Sequence, residues 1–364
     1  MQQAGLDTRI DNIGNVRGRK WSSNPNAPVF VIASHYDTVV NAGKYDGSLG
    51  ILMGMDCIEN LDSQELPFHI ELIAFSDEEG VRFHTTLLGS EAVSGTFDQK
   101  LLQKKDDTGV TLAEVIEYMG GDPADLPDDA IPPGKCAGYF EIHIEQGPVL
   151  YKKNLPVAVV TGISGQQRHE LVFSGEAGHA GTVPMEMRRD ALCCAAEAAI
   201  KVEEEARKTD EIVATIGKLT ISDAASNVIP GEVSCTLDIR SSKAEVLAEA
   251  GERIHKVVTE VCRNRQVDLH WSTVQQTSPI ECDTELSQLL SKSIKQAGFE
   301  QVHLASGAGH DALAFANIAP VSMMFVRCYK GISHHPAEHV EPDDIADAIA
   351  AADWYLRNLI NHYK

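Results

Sequence analysis

The chain has 364 residues, 43% of them hydrophobic and 23% charged, and a formal net charge of -22 at pH 7. That length exceeds what one hydrophobic core usually serves, so two domains are expected, and so ordinary a composition excludes long disordered tails. The acidic balance, with no run of Lys and Arg, excludes nucleic acid and anionic membranes as partners.

Residues 4–18 read as a short strand pair with a turn. The run from Pro28 to Ser34 is short, rich in β-branched residues and bounded by turn formers, which predicts a buried strand. His35, Asp37 and Asp46 follow at its carboxyl end, where open α/β sheets place their ligands. From Gly47 to Leu61 the spacing of Leu49, Leu52, Met53, Ile58 and Leu61 predicts a helix packed on the sheet. A second strand, His69 to Ser76, ends in Asp77-Glu78-Glu79-Gly80, so two strands bring acidic loops to one edge. Residues 95–135 are acidic, interrupted and finally Pro-rich, and read as a surface excursion. Gly138 to Pro148 is a strand or short element carrying His143 and Gln146 toward a Gly-Pro turn.

A boundary is expected at 161–165. Beyond it come a strand (Arg168 to Phe173), a Gly-rich loop with His179, an Ala-rich helix (Asp190 to Lys208) and two strands (Ile212 to Leu219, Glu232 to Arg240). A helix (Lys243 to Arg265) and a strand (Gln266 to Val274) complete a β-α-β-β-α-β order, the ferredoxin-like arrangement, which could fold as an inserted domain. From about Glu281 the helix-strand alternation resumes, with a strand (Ala319 to Arg327) between the clusters Ser306 to Ala312 and Gly331 to Glu338. A last helix spans Asp343 to Ile360. The expected class is α/β: residues 1–165 and 281–364 form a discontinuous domain with a mixed sheet flanked by helices, and 166–280 an inserted ferredoxin-like α+β domain.

Eight cysteines without a CxxC pair read as buried thiols in a reducing compartment. The start lacks a basic segment followed by an apolar core, and no apolar run reaches the roughly 18 residues of a membrane span. A cytoplasmic location is expected.

The polar groups at strand ends and loops of the first domain are His35, Asp37, Asp46, Glu78, Glu79, His143, His310, His334 and His335. Any one of them alone is more often structural than catalytic. Together, mixed imidazole and carboxylate donors converging on one sheet edge suit divalent zinc, manganese or cobalt. Two such ions, about 3.5–4 Å apart, would share a carboxylate and activate a water for hydrolysis. Spacing alone leaves His334 and His335 open as the fourth imidazole. Glu338 and His339 read as surface or supporting groups, and His69, His84 and His255 as ordinary histidines.

His35-x-Asp37, Asp46-Gly47, Asp77-Glu78-Glu79-Gly80, His143-x-Glu145-Gln146-Gly147-Pro148 and Ser333-His334-x-Pro336 together resemble the M20 metallopeptidase-like amidohydrolases. The likeness is to the branch acting on allantoate, ureidoglycolate and N-carbamoyl amino acids, and it covers essentially the whole chain with separate motifs in order. The resemblance implies that His35, Asp46 and His143 hold one metal ion, and Asp46, Glu79 and His334 the other, with Asp46 bridging. It implies two divalent ions per subunit, manganese before zinc or cobalt, with Glu78 as general base and Asp37 orienting His35. Family position favours His334 over His335.

Substrate-binding positions implied by the same resemblance are Gln146, His179, Asn227, Arg240 and His310. A guanidinium such as Arg240 can clamp a carboxylate bidentately, and His179 with Asn227 can donate to an oxyanion. The plain alternatives are a salt bridge for Arg240, a turn for Asn227 before Pro230-Gly231, and for His310 a bond to Asp311 or a loop carbonyl. The implied reaction is hydrolysis of a ureido C–N bond in a small anionic substrate, with allantoate first and N-carbamoyl-L-amino acids or ureidoglycolate as alternatives. A dipeptidase of the wider family is the more distant one. Members of the family close the inserted domain as a lid and dimerise through it, so a homodimer is expected, with His179 serving the neighbouring subunit. They also carry helices ahead of the first strand, which makes such helices before the present Met1 an expectation.

Overall fold

The computed structural model describes residues 1–59, 61 and 66–364. The hairpin β1 (Asp7–Ile10) and β2 (Val16–Lys20) leads into β3 (Val29–His35), α1 (Ser48–Glu59), β4 (His69–Phe75), α2 (Leu88–Ser94), α3 (Leu112–Tyr118), β5 (Cys136–Ile144), α4 (Val149–Lys153) and β6 (Val157–Ile163). Next come β7 (Gly165–Ser174), β8 (Gly178–His179), α5 (Ala191–Ala206), β9 (Ile212–Ile221), β10 (Val228–Ile229), β11 (Glu232–Ser241), α6 (Ala244–Arg265), β12 (Asp268–Thr277) and β13 (Ile280–Glu281). The chain finishes with α7 (Thr284–Gln296), β14 (His303–Ser306), α8 (Ala312–Phe315), β15 (Val321–Val326) and α9 (Pro342–Tyr363). It divides into two compact units, Met1–Thr161 with Cys282–Lys364, and Gly162–Glu281.

In the first unit, β3, β4 and β15 are buried along their whole length. Such unbroken apolar runs belong to strands covered on both faces. β3 runs parallel to β4 and β5, and β5 parallel to β15, while β2 and β6 pair antiparallel outside them. Parallel neighbours put their carboxyl ends at one edge, so the loops after His35, Phe75, Ile144 and Val326 open on the same side. One core joins α1, α7 and α9 to the sheet through Ile32, Leu49, Met53, Leu72, Ile142, Leu290 and Tyr355. Gly50 lets α1 lie close, since a Cβ there would stand 1.9 Å from the Ile142 carbonyl oxygen.

Three sequence expectations need correction. The eight cysteines are all free thiols, but Cys193 is exposed and Cys136 only partly covered, so six rather than eight are buried. Leu52 is 58% exposed, on the outer side of α1, and Asn60 of the expected helix lies outside the described residues. Residues 95–135 are more than a surface excursion: Leu112, Val115, Ile116 and Leu126 join Ile13, Phe83 and Leu88 in a second core. The acidic text there serves helix ends, as where Thr111 and Glu114 form a reciprocal capping box on α3.

The second unit is a four-stranded antiparallel sheet in the order β12-β7-β11-β9. Burial alternates along β7 and β11, as one covered face requires. Leu171, Phe173, Val233, Leu237 and Ile239 join Ala195, Val202, Ile254 and Val258 of α5 and α6 in its core. Arg168, Asp238 and Arg240 occupy the alternate positions. A separate ribbon pairs β8 with β10, setting His179 opposite Val228. Among the described residues no helix is long and apolar enough to cross a membrane.

Candidate metal centre

The Asp46-Gly47 pair begins the site. Gly47 has φ +65, and a Cβ there would stand 2.4 Å from the His35 carbonyl oxygen and 2.5 Å from its ring, so only glycine lets Asp46 fold back against the end of β3. Asp46, 3% exposed, directs its two oxygens to different imidazoles. Oδ1 lies 3.1 Å from His143 Nε2 and 3.8 Å from His35 Nε2, whereas Oδ2 lies 3.0 Å from His334 Nε2. His334 Nε2 is also 3.2 Å from Glu79 Oε1. Two donor groups share Asp46, His35 with Asp46 and His143, and Asp46 with Glu79 and His334, each with its ligand atoms within 4.8 Å of one another; His35 with Glu78 and Glu79, and Glu141 with His143 and His310, come equally close.

The chemistry of these donors fits divalent cations. The Nε2 atoms of His35 and His143 face each other at 3.3 Å. Glu79 Oε1 is buried with no hydrogen-bond donor aligned on it. Burial opposes charge on Asp46, but hydrogen bonds from His143 and His334 outweigh it and hold the carboxyl well below the ordinary value. The neighbouring carboxylates, Asp46 first and then Glu79, push His334 up to about 10. Burial works against charge on His143, and Asp46 overcomes it, to about 9. The carboxylates thus call for positive charge at the two points where a metal ion would supply it. His335 is in neither group, and its Nδ1 accepts the Ala337 N–H instead.

Glu78 and Glu79 leave β4 through Asp77, whose φ is +52. Asp37 holds the pair in place: Oδ1 accepts the Glu78 N–H at 3.0 Å and Oδ2 the Glu79 N–H at 3.1 Å. His35 Nδ1 is held at 2.9 Å by the Asp37 backbone carbonyl, with the carboxylate at 3.7 Å. Asp37 therefore orients His35 mainly through its main chain, while its side chain fixes the glutamates. Burial first, then the charges of Asp311, Glu79, Asp37 and Glu141, push the Glu78 carboxyl well above its usual range, as suits a group that exchanges protons.

Gln146, with φ +55, donates Nε2–H to both Asp46 oxygens, at 3.2 and 3.0 Å. His310 is 1% exposed, with Nε2 at 2.7 Å from Ser306 Oγ, and so does not offer that nitrogen to solvent. In the second unit His179 and Asn227 are exposed neighbours, tied by the Ala180 N–H to Asn227 carbonyl bond beside the β8–β10 ribbon. Arg240 forms the salt bridge weighed above: Asp238 accepts from its Nε at 2.8 Å and its Nη2 at 3.1 Å.

Glu338 is the supporting residue whose role the sequence left undefined. It is only 4% exposed; its Oε1 accepts the N–H groups of Tyr45 and Asp46, and its Oε2 accepts from Ser333 Oγ. It braces Asp46 and the His334 loop at once. The only signal in the chain is its place at the end of Ser333-His-His-Pro-Ala-Glu338.

Residues 31–358 match the family model of peptidase family M20/M25/M40. The chain belongs to that family. Among its relatives, an N-carbamoyl-L-amino acid amidohydrolase of Geobacillus stearothermophilus is 40% identical over 348 residues, 95% of this chain and 85% of that protein. Allantoate deiminase 2 of Glycine max is 37% identical over 400 residues, 99% and 81% of the two chains. The crystal structure of an amidase of the hydantoinase/carbamoylase family from Burkholderia multivorans superposes with a TM-score of 0.89 at 31% identity, covering 98% of this chain and 87% of that one. This M20 protein is a metal-dependent amidohydrolase of the carbamoyl/ureido branch.

Proposed function

We propose that this enzyme hydrolyses a ureido C–N bond in a small carboxylate substrate, allantoate first, to give ureidoglycine, ammonia and carbon dioxide. The observation that carries the reading is Asp46, whose two oxygens serve two donor groups beside the buried Glu78. Two divalent ions, manganese in preference to zinc or cobalt, would polarise the ureido carbonyl and ease deprotonation of a water. Glu78 takes the proton from the attacking water and returns it to the leaving nitrogen. Gln146 orients the substrate beside Asp46. His179 and Asn227 donate to the oxyanion, and Arg240, its guanidinium plane fixed by Asp238, clamps the carboxylate. The protein works as a cytoplasmic homodimer joined through the second unit, a location supported by eight free cysteines, with His179 acting in the neighbouring subunit.

A second reading, an N-carbamoyl-L-amino-acid amidohydrolase, is favoured by the 40% identity to such an enzyme. Ammonia release from allantoate, N-carbamoyl amino acids and ureidoglycolate, measured side by side on metal-depleted and manganese-reloaded protein with a dipeptide control, separates the readings. Turnover of the dipeptide alone would sink both. Mixed dimers of Glu78→Ala and His179→Ala chains should regain partial activity if His179 acts across the dimer, and complete failure to complement would remove that role.

A further inference from the structure

β5 carries three polar side chains at alternate positions, Tyr139, Glu141 and His143, which strand geometry puts on one face of the sheet. His143 alone of the three belongs to a donor group that contains Asp46, although Glu141, His143 and His310 also bring donor atoms within 4.8 Å of one another. Glu141 is fully buried, and Oε2 accepts from Tyr139 Oη at 2.9 Å and from the Ala312 N–H at the start of α8 at 3.0 Å. Oε1 has no hydrogen-bond partner, and His310 Nδ1 lies 3.8 Å from it. On its other side the His310 ring has Nε2 at 2.7 Å from Ser306 Oγ. Bonded to Ser306 on one side and facing Glu141 on the other, the ring stands edge-on against His143, with centroids 4.6 Å apart and planes at 69°, and it also meets Phe325 edge-on at 6.0 Å.

We propose that Glu141 and His310 form a buried positioning pair that holds the imidazole of His143 and touches no substrate. This rests on the reading of His143 as a metal ligand. His143 is fixed at Nδ1 by the Ile144 carbonyl and directed at Asp46 through Nε2, so its remaining freedom is rotation and tilt of the ring. His310 blocks that tilt by contact, and Glu141 holds His310 by tying the first residue of α8 to β5 beside it. A fully buried carboxylate is a costly group to keep without a task, and Glu141 has no role in proton transfer or in either ligand group proposed above. A substrate ligand at His310 would need a ring nitrogen open to the substrate; here one faces Ser306 and the other Glu141, both on the protein side.

The test compares the wild-type chain with Glu141→Gln, His310→Gln and Tyr139→Phe. Each protein is stripped of metal and titrated with manganese(II) chloride against a competing chelator, and KM and kcat are then measured at saturating manganese. Glu141→Gln and His310→Gln should weaken manganese binding about 10–100-fold, with the number of ions bound unchanged and KM within about twofold of wild type. Tyr139→Phe, which removes one of the two donors to Glu141, should show a smaller weakening of the same kind. A large rise in KM with unaltered manganese affinity would make His310 a substrate ligand and overturn the proposal. Loss of a bound ion in Glu141→Gln would make Glu141 a ligand and overturn it equally, as would wild-type manganese affinity in both Gln variants. Should Glu141→Gln fail to fold by circular dichroism, His310→Gln and Tyr139→Phe carry the same reading. Manganese affinity needs no substrate, so an enzyme that turns over no ureido compound would refute the proposed function and leave this test standing.

Discussion

The two units handle their polar groups in opposite ways. In the first, His35, Asp46, Glu78 and His143 are all buried, and each is held by a second residue: Asp37, Glu338 or a strand carbonyl. In the second, His179 and Asn227 stand exposed and Arg240 is half-buried against Asp238. Groups that move protons and hold ions gain from a fixed, water-poor setting, because dipoles arranged in advance need no reorganisation during the reaction. Groups that recognise a substrate need access to it. Braced residues and exposed residues should therefore fail differently when changed.

The largest effect is expected from Glu78→Gln, which removes the proposed proton carrier and leaves both Asp46-containing donor groups whole. Its kcat should fall by about 10²–10⁴-fold while manganese binding stays at the wild-type level; near-normal turnover would detach the chemistry from this unit. Glu338→Ala comes next. It frees the Tyr45–Asp46 backbone and Ser333 together, and a loss of about 10–100-fold in metal affinity, read by equilibrium dialysis, is the expected outcome. Unchanged affinity would mean that the brace is idle. Arg240→Met should act on recognition: a charged hydrogen bond is worth about 1.5–3 kcal/mol, so KM for the carboxylate substrate should rise about 10–100-fold with kcat little altered. A fall in kcat at constant KM would erase the contrast between the units.

The smallest effect tests what buried charge does to the first unit's stability. Burial, then the charge of Asp98, raises Glu91 from 4.5 to about 7. A carboxyl raised in the folded state favours its protonated form, so its ionisation destabilises the fold progressively from about pH 4.5 to about 7 and no further above that. Glu91→Gln should therefore stabilise the protein at pH 8, by about 1 kcal/mol after allowing for partial solvent access, and give no gain near pH 4. Urea unfolding at the two pH values measures it, and an equal gain at both would assign the effect to something other than charge.

Much of the first unit was legible because parallel strands buried on both faces must be continuous apolar runs. The runs Pro28 to Ser34 and His69 to Ser76 stood out, and with them the loops that follow; they form Val29–His35 and His69–Phe75. The second unit's alternating strands and amphipathic helices were equally plain. What escaped was whatever depends on contacts distant in sequence. Nothing local says that Glu338 braces Asp46, or that Leu112 and Leu126 find a core with Ile13 and Phe83. Asp37 shows a different limit. Its nearness to His35 was readable, but the division between a carbonyl that holds the imidazole and a carboxylate that clamps two glutamates needed three dimensions.

Asp77, Gln146 and His334 share a left-handed backbone, φ +52, +55 and +54, that residues with a Cβ adopt at a cost of about 1–3 kcal/mol each. For anyone engineering the protein, this sorts positive-φ positions into two kinds. At Asn41 or Lys330, with φ +58 and +55, glycine would relax the backbone without removing a donor of the metal centre. At Gln146 and His334 the same exchange would relax the chain and delete the site, so a screen that rewards heat resistance alone would select for inert protein.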